Sequence, residues 1–422
     1  MKSGDIQQHA FRISLLPDGR LTGESLKKQT GGYRYRGEWQ DPCLKFISFE
    51  NGALTLRNTS NDENYTLQLQ LKQNKLLVAC GCGHNNKTIC NHAYWALNEI
   101  HWKFGERYFT KFAPGGIMEL AFKYPMHFDK QESNTGLEVF PREELKSIYQ
   151  LAPAIAMPDI KAILSLPESK FNIDNPLFSV PSPTVHISEE KVIAYLMIIS
   201  YRYEHLPSVI PIVGQLTAKK DAVKTFDSFT SGLQKLNTTS LSDEKKILHK
   251  KCLTLFKLTE KTPGELLADT LYSKRLETLN TIFDQWAEVY SSLLAQPFVC
   301  TYVLYGKRQL RKKPRRDAWL PVTLSTGIPV LSFVLTDKGD HYRFSLQVHI
   351  AGALLENIKT DIPLFITEGV DSIFRLASLR DACLVEWLNR SGDRITIFKE
   401  HFDAFQKEVL EPLQEHYAIQ FD

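Results

Sequence analysis

Cys80-Gly81-Cys82 and, after a gap of seven residues, Cys90-Asn91-His92 bring three thiols and an imidazole into one short stretch. Three cysteines and one histidine form a standard closed donor set for tetrahedral zinc. Side chains at i and i+2 of an extended segment point to the same side. Gly81 is expected to let the backbone bend, so that two thiolates about 7 Å apart at Cα converge on one ion. The second pair is expected at a helix start, where the partial positive charge favours thiolate over thiol. A closed set leaves no position open for water or substrate, so the metal is expected to be structural rather than catalytic. Zinc binding to such sites is worth roughly 10–16 kcal/mol in small peptides, against a typical domain stability of about 5–15 kcal/mol. The surrounding domain is therefore expected to need zinc to fold. His84 is a rival ligand, but it follows Cys82 too closely to close the same tetrahedron easily. The alternative is a buried hairpin holding three cysteines, with an unrelated histidine nearby. A redox role lacks the usual two-residue gap between cysteines.

A second stretch carries charge rather than ligands. Lys307, Arg308, Arg311, Lys312, Lys313, Arg315 and Arg316 crowd one segment flanked by Tyr305 and Trp319. Such a loop can contact the phosphates of a nucleic acid. It can equally be a solvated loop that keeps strand edges from pairing with other molecules. Tyr33-Arg34-Tyr35-Arg36 with Trp39 offers rings beside cations, which suits single strands, or an ordinary edge strand with one aromatic face. Catalytic constellations are missing from the sequence. There is no Gly-x-Ser-x-Gly elbow and no His-Glu-x-x-His. There is also no phosphate loop: Gly306-Lys307 is followed by Arg308 and lacks the earlier glycine. The chain is expected not to be an enzyme.

Hydrophobic patterning supplies the elements that would position these residues. Cys43–Phe49 and Ala53–Arg57 flank Asn51-Gly52, a strong hairpin signal. Tyr65, Leu67, Leu69 and Leu71 alternate with polar residues, predicting a strand with one buried face. A turn at Gln73-Asn74-Lys75 leads to a strand Leu76–Ala79, and the cysteines follow at once. Ala93, Ala96, Leu97 and Ile100 then recur at helical spacing. Further on, Val192–Tyr203 reads as a strand and residues 242–295 as mainly helical, with Thr262-Pro263-Gly264-Glu265 resembling a capping box. Strands are predicted at Phe298–Tyr305, Val330–Thr336, Tyr342–His349 and Ile395–Phe398. A helix over about Lys399–His416 and a last strand, Tyr417–Phe421, complete the reading.

Cys-x-Cys, a short gap and Cys-x-His, after two strands and before a helix, resemble the SWIM zinc finger over about residues 65–100. The resemblance implies a partner that is DNA or protein. More weakly, the rest of the chain resembles the accessory region beside the motor of bacterial Swi/Snf-type helicases. On that reading this chain is a non-catalytic N-terminal part without its ATPase. The alternative is a stand-alone protein-interaction scaffold built on a structural finger. The final predicted strand fits either a chain continued by a further domain or one that stops there.

The fold class expected is α+β: a small strand–strand–helix zinc module, a helical middle and a strand-rich C-terminal domain. The expected boundaries are 1–110, a proline-punctuated region 111–185 with a linker at 167–185, and a mixed domain 186–422. The 422 residues contain 43% hydrophobic and 23% charged residues, ordinary for a globular protein, and a net charge of +3 neither demands nor excludes nucleic acid. Residues 1–25 lack the apolar core of a signal peptide. Val192–Ile199, the longest apolar run, is far short of the roughly 20 residues a membrane helix needs. The other cysteines, Cys43, Cys252, Cys300 and Cys383, are scattered singly, unlike a secreted disulfide scaffold. A cytoplasmic location is expected, with no membrane partner.

Overall fold

A computed structural model divides the chain into two compact units, residues 1–151 and 152–422. It describes residues 10–17, 19–30, 43–60, 63–82, 89–130, 139–142, 145, 147–150, 159–166, 186, 188–200, 205–227, 229, 241–267, 274–305, 307–369 and 371–422. The Tyr33–Trp39 segment, His84 and the expected linker at 167–185 lie outside these. The architecture is α+β.

In the first unit, strands β1 (Phe11–Ser14), β2 (Cys43–Glu50), β3 (Ala53–Ser60), β4 (Glu63–Lys72) and β5 (Lys75–Cys80) form one sheet in the order β1-β5-β4-β3-β2. All its pairings are antiparallel. Asn51 and Gly52 both adopt positive φ, which matches the twist of a two-residue hairpin. Gln73 and Asn74 do the same between β4 and β5. Asn74 offsets some of that strain by donating from its side-chain amide to the carbonyls of Leu15 and Leu16. Helix α1 (Gly23–Gln29) is capped by Thr22. Helix α2 (Asn91–Phe104) packs against β3 and β5. Its Ala93, Ala96, Leu97 and Ile100 are buried, as are Leu54, Leu56, Leu67, Leu69, Leu76 and Val78 of the sheet. Period-2 and period-3.6 patterns thus meet in one apolar layer. A 3-10 turn at Tyr108–Phe112, helix α3 (Ile117–Lys123) and the ribbon β6 (Phe128–Lys130) and β7 (Val139–Pro141) follow.

The second unit begins with a short helix α4 (Ile160–Leu164) and a sheet ordered β10-β9-β8-β11-β12. Its strands are β8 (Lys191–Ser200), β9 (Ser208–Leu216), β10 (Val223–Phe226), β11 (Val299–Leu304) and β12 (Trp319–Pro321). β8 and β11 run parallel, with Ser200 opposite Leu304. β8 is buried on both faces along nearly its whole length, which is why it reads as a continuous apolar run rather than an alternation. Helices α5 (Asp243–Thr259) and α6 (Lys274–Leu293) lie between β10 and β11 in sequence. α6 ties elements together through buried polar tips. The Trp286 indole N–H donates to the Pro207 carbonyl at 2.8 Å. The Tyr290 hydroxyl lies 2.7 Å from the Ile373 carbonyl.

A second sheet, β13-β19-β18-β17, uses β13 (Thr323–Leu324), β17 (Ile358–Lys359), β18 (Phe365–Glu368) and β19 (Ser372–Arg375). A third, β16-β15-β14-β21, uses β14 (Val330–Asp337), β15 (His341–Ile350), β16 (Ala353–Leu354) and β21 (Ala418–Phe421), with β20 (Arg394–Phe398) also paired to β15. Helix α7 (Leu379–Arg390) packs against β15 and β20.

Two expectations need correction. Thr262-Pro263-Gly264-Glu265 does not start a helix. Thr262 instead donates its hydroxyl to the Leu258 carbonyl and closes off α5. The following amides of Leu266 and Leu267 are taken by the Glu386 carboxylate. The expected helix over 399–416 is broken into a 3-10 turn, α8 (Phe402–Phe405), a π segment Gln406–Leu410 and α9 (Glu411–Gln414). Pro412 has no N–H to bond one turn back and its ring crowds that turn's carbonyl, so the ladder there widens. Phe405, Val409 and Leu413 are buried as the spacing requires. Phe402 is only half-buried and packs on Tyr342, ring centroids 4.2 Å apart.

Candidate metal centre and basic loop

Cys80 is the last residue of β5, opposite Leu67 of β4. The ladder runs one bond further, Gly81 N–H donating to the Thr66 carbonyl at 2.9 Å, before the turn that carries Cys82. Cys90 is the N-cap of α2, and its sulfur accepts from the Ala93 amide at 3.4 Å. His92 sits in the first turn of the same helix. One donor atom from each of Cys80, Cys82, Cys90 and His92 lies within 4.8 Å of all the others.

A tetrahedral zinc with Zn–S bonds of about 2.3 Å spans donor–donor edges of about 3.8 Å, so the four donors need close by no more than about an ångström. They are borderline-to-soft donors, the combination zinc takes. The Nδ1 of His92 is buried and has no hydrogen-bond partner among the described residues. Electrostatics favour the same use. Cys90 is drawn downward, first by a hydrogen bond from the Cys80 thiol and further by the Ala93 amide at the helix start. The same thiol–sulfur bond, with burial, drives Cys80 upward.

His92 is held from below by an opposed pair of sheet residues, Asn58 on β3 and Tyr65 on β4. The Asn58 side chain donates to the His92 carbonyl at 3.1 Å. The Tyr65 ring stacks on the imidazole with centroids 3.8 Å apart. The sequence reading missed both. The available signal was Asn58 itself, a polar residue that continues the Leu54, Leu56 alternation on the inward face of β3. The role expected of Gly81 is not required. Its φ is not positive, and a Cβ there would meet Thr66 at ordinary contact distances of 3.5 Å and beyond.

All seven cysteines are free thiols. Cys252, Cys300 and Cys383 are buried in the second unit, and burial pushes each thiol upward. They behave as small core residues.

The basic segment joins β11 to β12 through 3-10 turns at Lys307–Arg311 and Arg316–Ala318. Trp319 is buried in the sheet's core cluster, with Leu310 packed against that cluster. Pro314 is buried too. The Gln309 side chain accepts from the Tyr305 amide at 2.7 Å, and its carbonyl accepts from the Lys312 amide at 3.0 Å. Arg308, Lys312, Lys313, Arg315 and Arg316 are exposed. The side chains of Lys307 and Arg311 lie outside the described residues. The Arg316 guanidinium stands over the Trp319 ring at 4.2 Å. Arg308, Lys312, Lys313 and Arg315 have no ion-pair partner among the described residues. Trp319 is therefore an anchor rather than an exposed ring.

No family model matches this chain, and neither does any curated protein or solved structure. No described helix is long and apolar enough to cross a membrane.

Proposed function

We propose that the chain is a zinc-binding, non-catalytic accessory module that engages nucleic acid, of the kind that accompanies the motor of a Swi/Snf-type helicase. The ion would be structural: Cys80 and Cys82 would hold it from the end of a strand, Cys90 and His92 from the start of a helix. It would lock β5 to α2. The observation that carries the metal part is the convergence of the four donors. Support for the nucleic-acid part comes from the pinned loop, whose Arg308, Lys312, Lys313 and Arg315 are exposed and have no ion-pair partner among the described residues.

Elemental analysis of the purified protein should find zinc equimolar with chain. Filter binding at low salt should find affinity for nucleic acid that falls steeply as salt rises. Charge reversal at Arg308, Lys312 and Arg315 should lower affinity and flatten the salt dependence. A zinc-loaded protein with no affinity at low salt sinks the nucleic-acid reading.

A second reading, a protein-docking scaffold, is favoured by Trp102. It projects from α2 with 80% of its surface exposed, and tryptophan is a common anchor at protein interfaces. Capture of one polypeptide that survives nuclease and is lost with Trp102→Ser supports this reading over the first.

A further inference from the structure

The nucleic-acid reading leaves open which form of polynucleotide the loop takes. We propose that it takes a single strand, with Tyr305 as the platform on which one base stacks; this rests on the reading above. Tyr305 is 62% exposed, although its backbone amide is tied to Gln309. The backbone that carries the ring is thus held in place. It follows β11 directly and opens the same excursion that carries Arg308, Lys312, Lys313 and Arg315. The β11–β12 pairing sets Tyr302 opposite Trp319. Tyr305 is three residues beyond that pair on one side, and Arg315 four residues before it on the other. Chain reach alone keeps each within roughly 10–14 Å of the pair.

A duplex hides the faces of its bases and offers phosphates and groove edges. A single strand exposes both faces and phosphates together. An exposed ring on the same excursion as several exposed cations matches the second offering. The other aromatic of the segment, Trp319, is 1% exposed and covered by Arg316, so stacking falls to Tyr305. Base stacking is indifferent to base identity, and the cations read only phosphate. The site should therefore accept single strands with little sequence preference.

The test is fluorescence anisotropy of the intact zinc-loaded chain with labelled oligothymidylate, oligouridylate and a DNA duplex of equal length. The parent should bind both single strands more tightly than the duplex. Tyr305→Ala should weaken single-strand binding by about 5- to 150-fold, the loss of one stacked base. It should leave duplex affinity and the slope of affinity against salt unchanged, while Tyr305→Phe binds as the parent does. The ratio between the two single strands separates DNA from RNA as the ligand. A parent that prefers duplex, or a Tyr305→Ala protein that binds every probe as the parent does or weakens equally on all three, overturns the proposal. A parent that binds none of them removes the nucleic-acid reading along with it. An unchanged melting curve for Tyr305→Ala excludes misfolding as the cause.

Discussion

The candidate metal centre of the first unit and the basic loop of the second are both short, conspicuous stretches of sequence, yet they are built on opposite principles. At the metal centre the functional atoms themselves converge. A strand end, a turn and a helix start deliver four donors to within 4.8 Å, and an Asn58–Tyr65 pair braces one of them. In the basic loop the cations are exposed to solvent, and the order comes from what lies beneath: Leu310 and Pro314, with Trp319 below Arg316. The difference has a physical cause. Metal ligands gain only when they meet at one point, whereas like charges repel and are best spread along a backbone of phosphates. One site should therefore fail when a functional residue is lost, the other when a buried anchor is lost.

The sharpest way to break that contrast is Cys90→Ser, or stripping the metal with a chelator. Either should unfold residues 1–151 and leave residues 152–422 intact, because zinc binding at such sites is worth roughly 10–16 kcal/mol, as much as the about 5–15 kcal/mol that typically holds a whole domain. Hydrogen exchange followed by mass spectrometry resolves the two units. Parent-like protection in the first unit would mean that its fold does not depend on the ion. Trp319→Ala should cost about 3–5 kcal/mol in urea unfolding of the second unit and weaken nucleic-acid binding without touching a cation. Binding that survives that loss would show that the loop needs no anchor. Tyr65→Ala should lower zinc affinity by about 10- to 100-fold in competition with a chromophoric chelator, with Tyr65→Phe near the parent; equal affinity for all three would mean that the imidazole needs no brace. Gly81→Ala should be the mildest change, within about 0.5 kcal/mol, with zinc content unchanged. A large loss there would restore the expectation that the turn requires glycine.

The candidate ligands were legible in the sequence because chemistry and spacing coincide: few residue types can bind zinc, and these four fall beside a strand and a helix that announce themselves. The hairpin at Asn51-Gly52 and the face of α2 were legible for a similar reason, since positive φ and helical periodicity leave local marks. Asn58 and Tyr65 left weaker marks. Their role arises from a pairing between strands and a helix 27 to 34 residues further along. The broken C-terminal helix was masked by a regular apolar spacing that persists through the π segment. The Thr262–Glu265 motif misled because a capping box and a helix terminator use the same residues. What separates them is whether the neighbouring amides find helical partners or, as here, the carboxylate of Glu386.

By itself the sequence determined the identity of the donors, the position of the cations, the α+β class and the location of most strands. These depend on side-chain chemistry and on periods of two or 3.6 residues, which are local quantities. Tertiary structure alone decided that the donors meet, that His92 is clasped by two residues of the sheet, that Gly81 could be alanine and that Trp319 is an anchor while Tyr305 is exposed. Each of these depends on which distant segment arrives at a given side chain, and burial and convergence are properties of that arrival rather than of the residue.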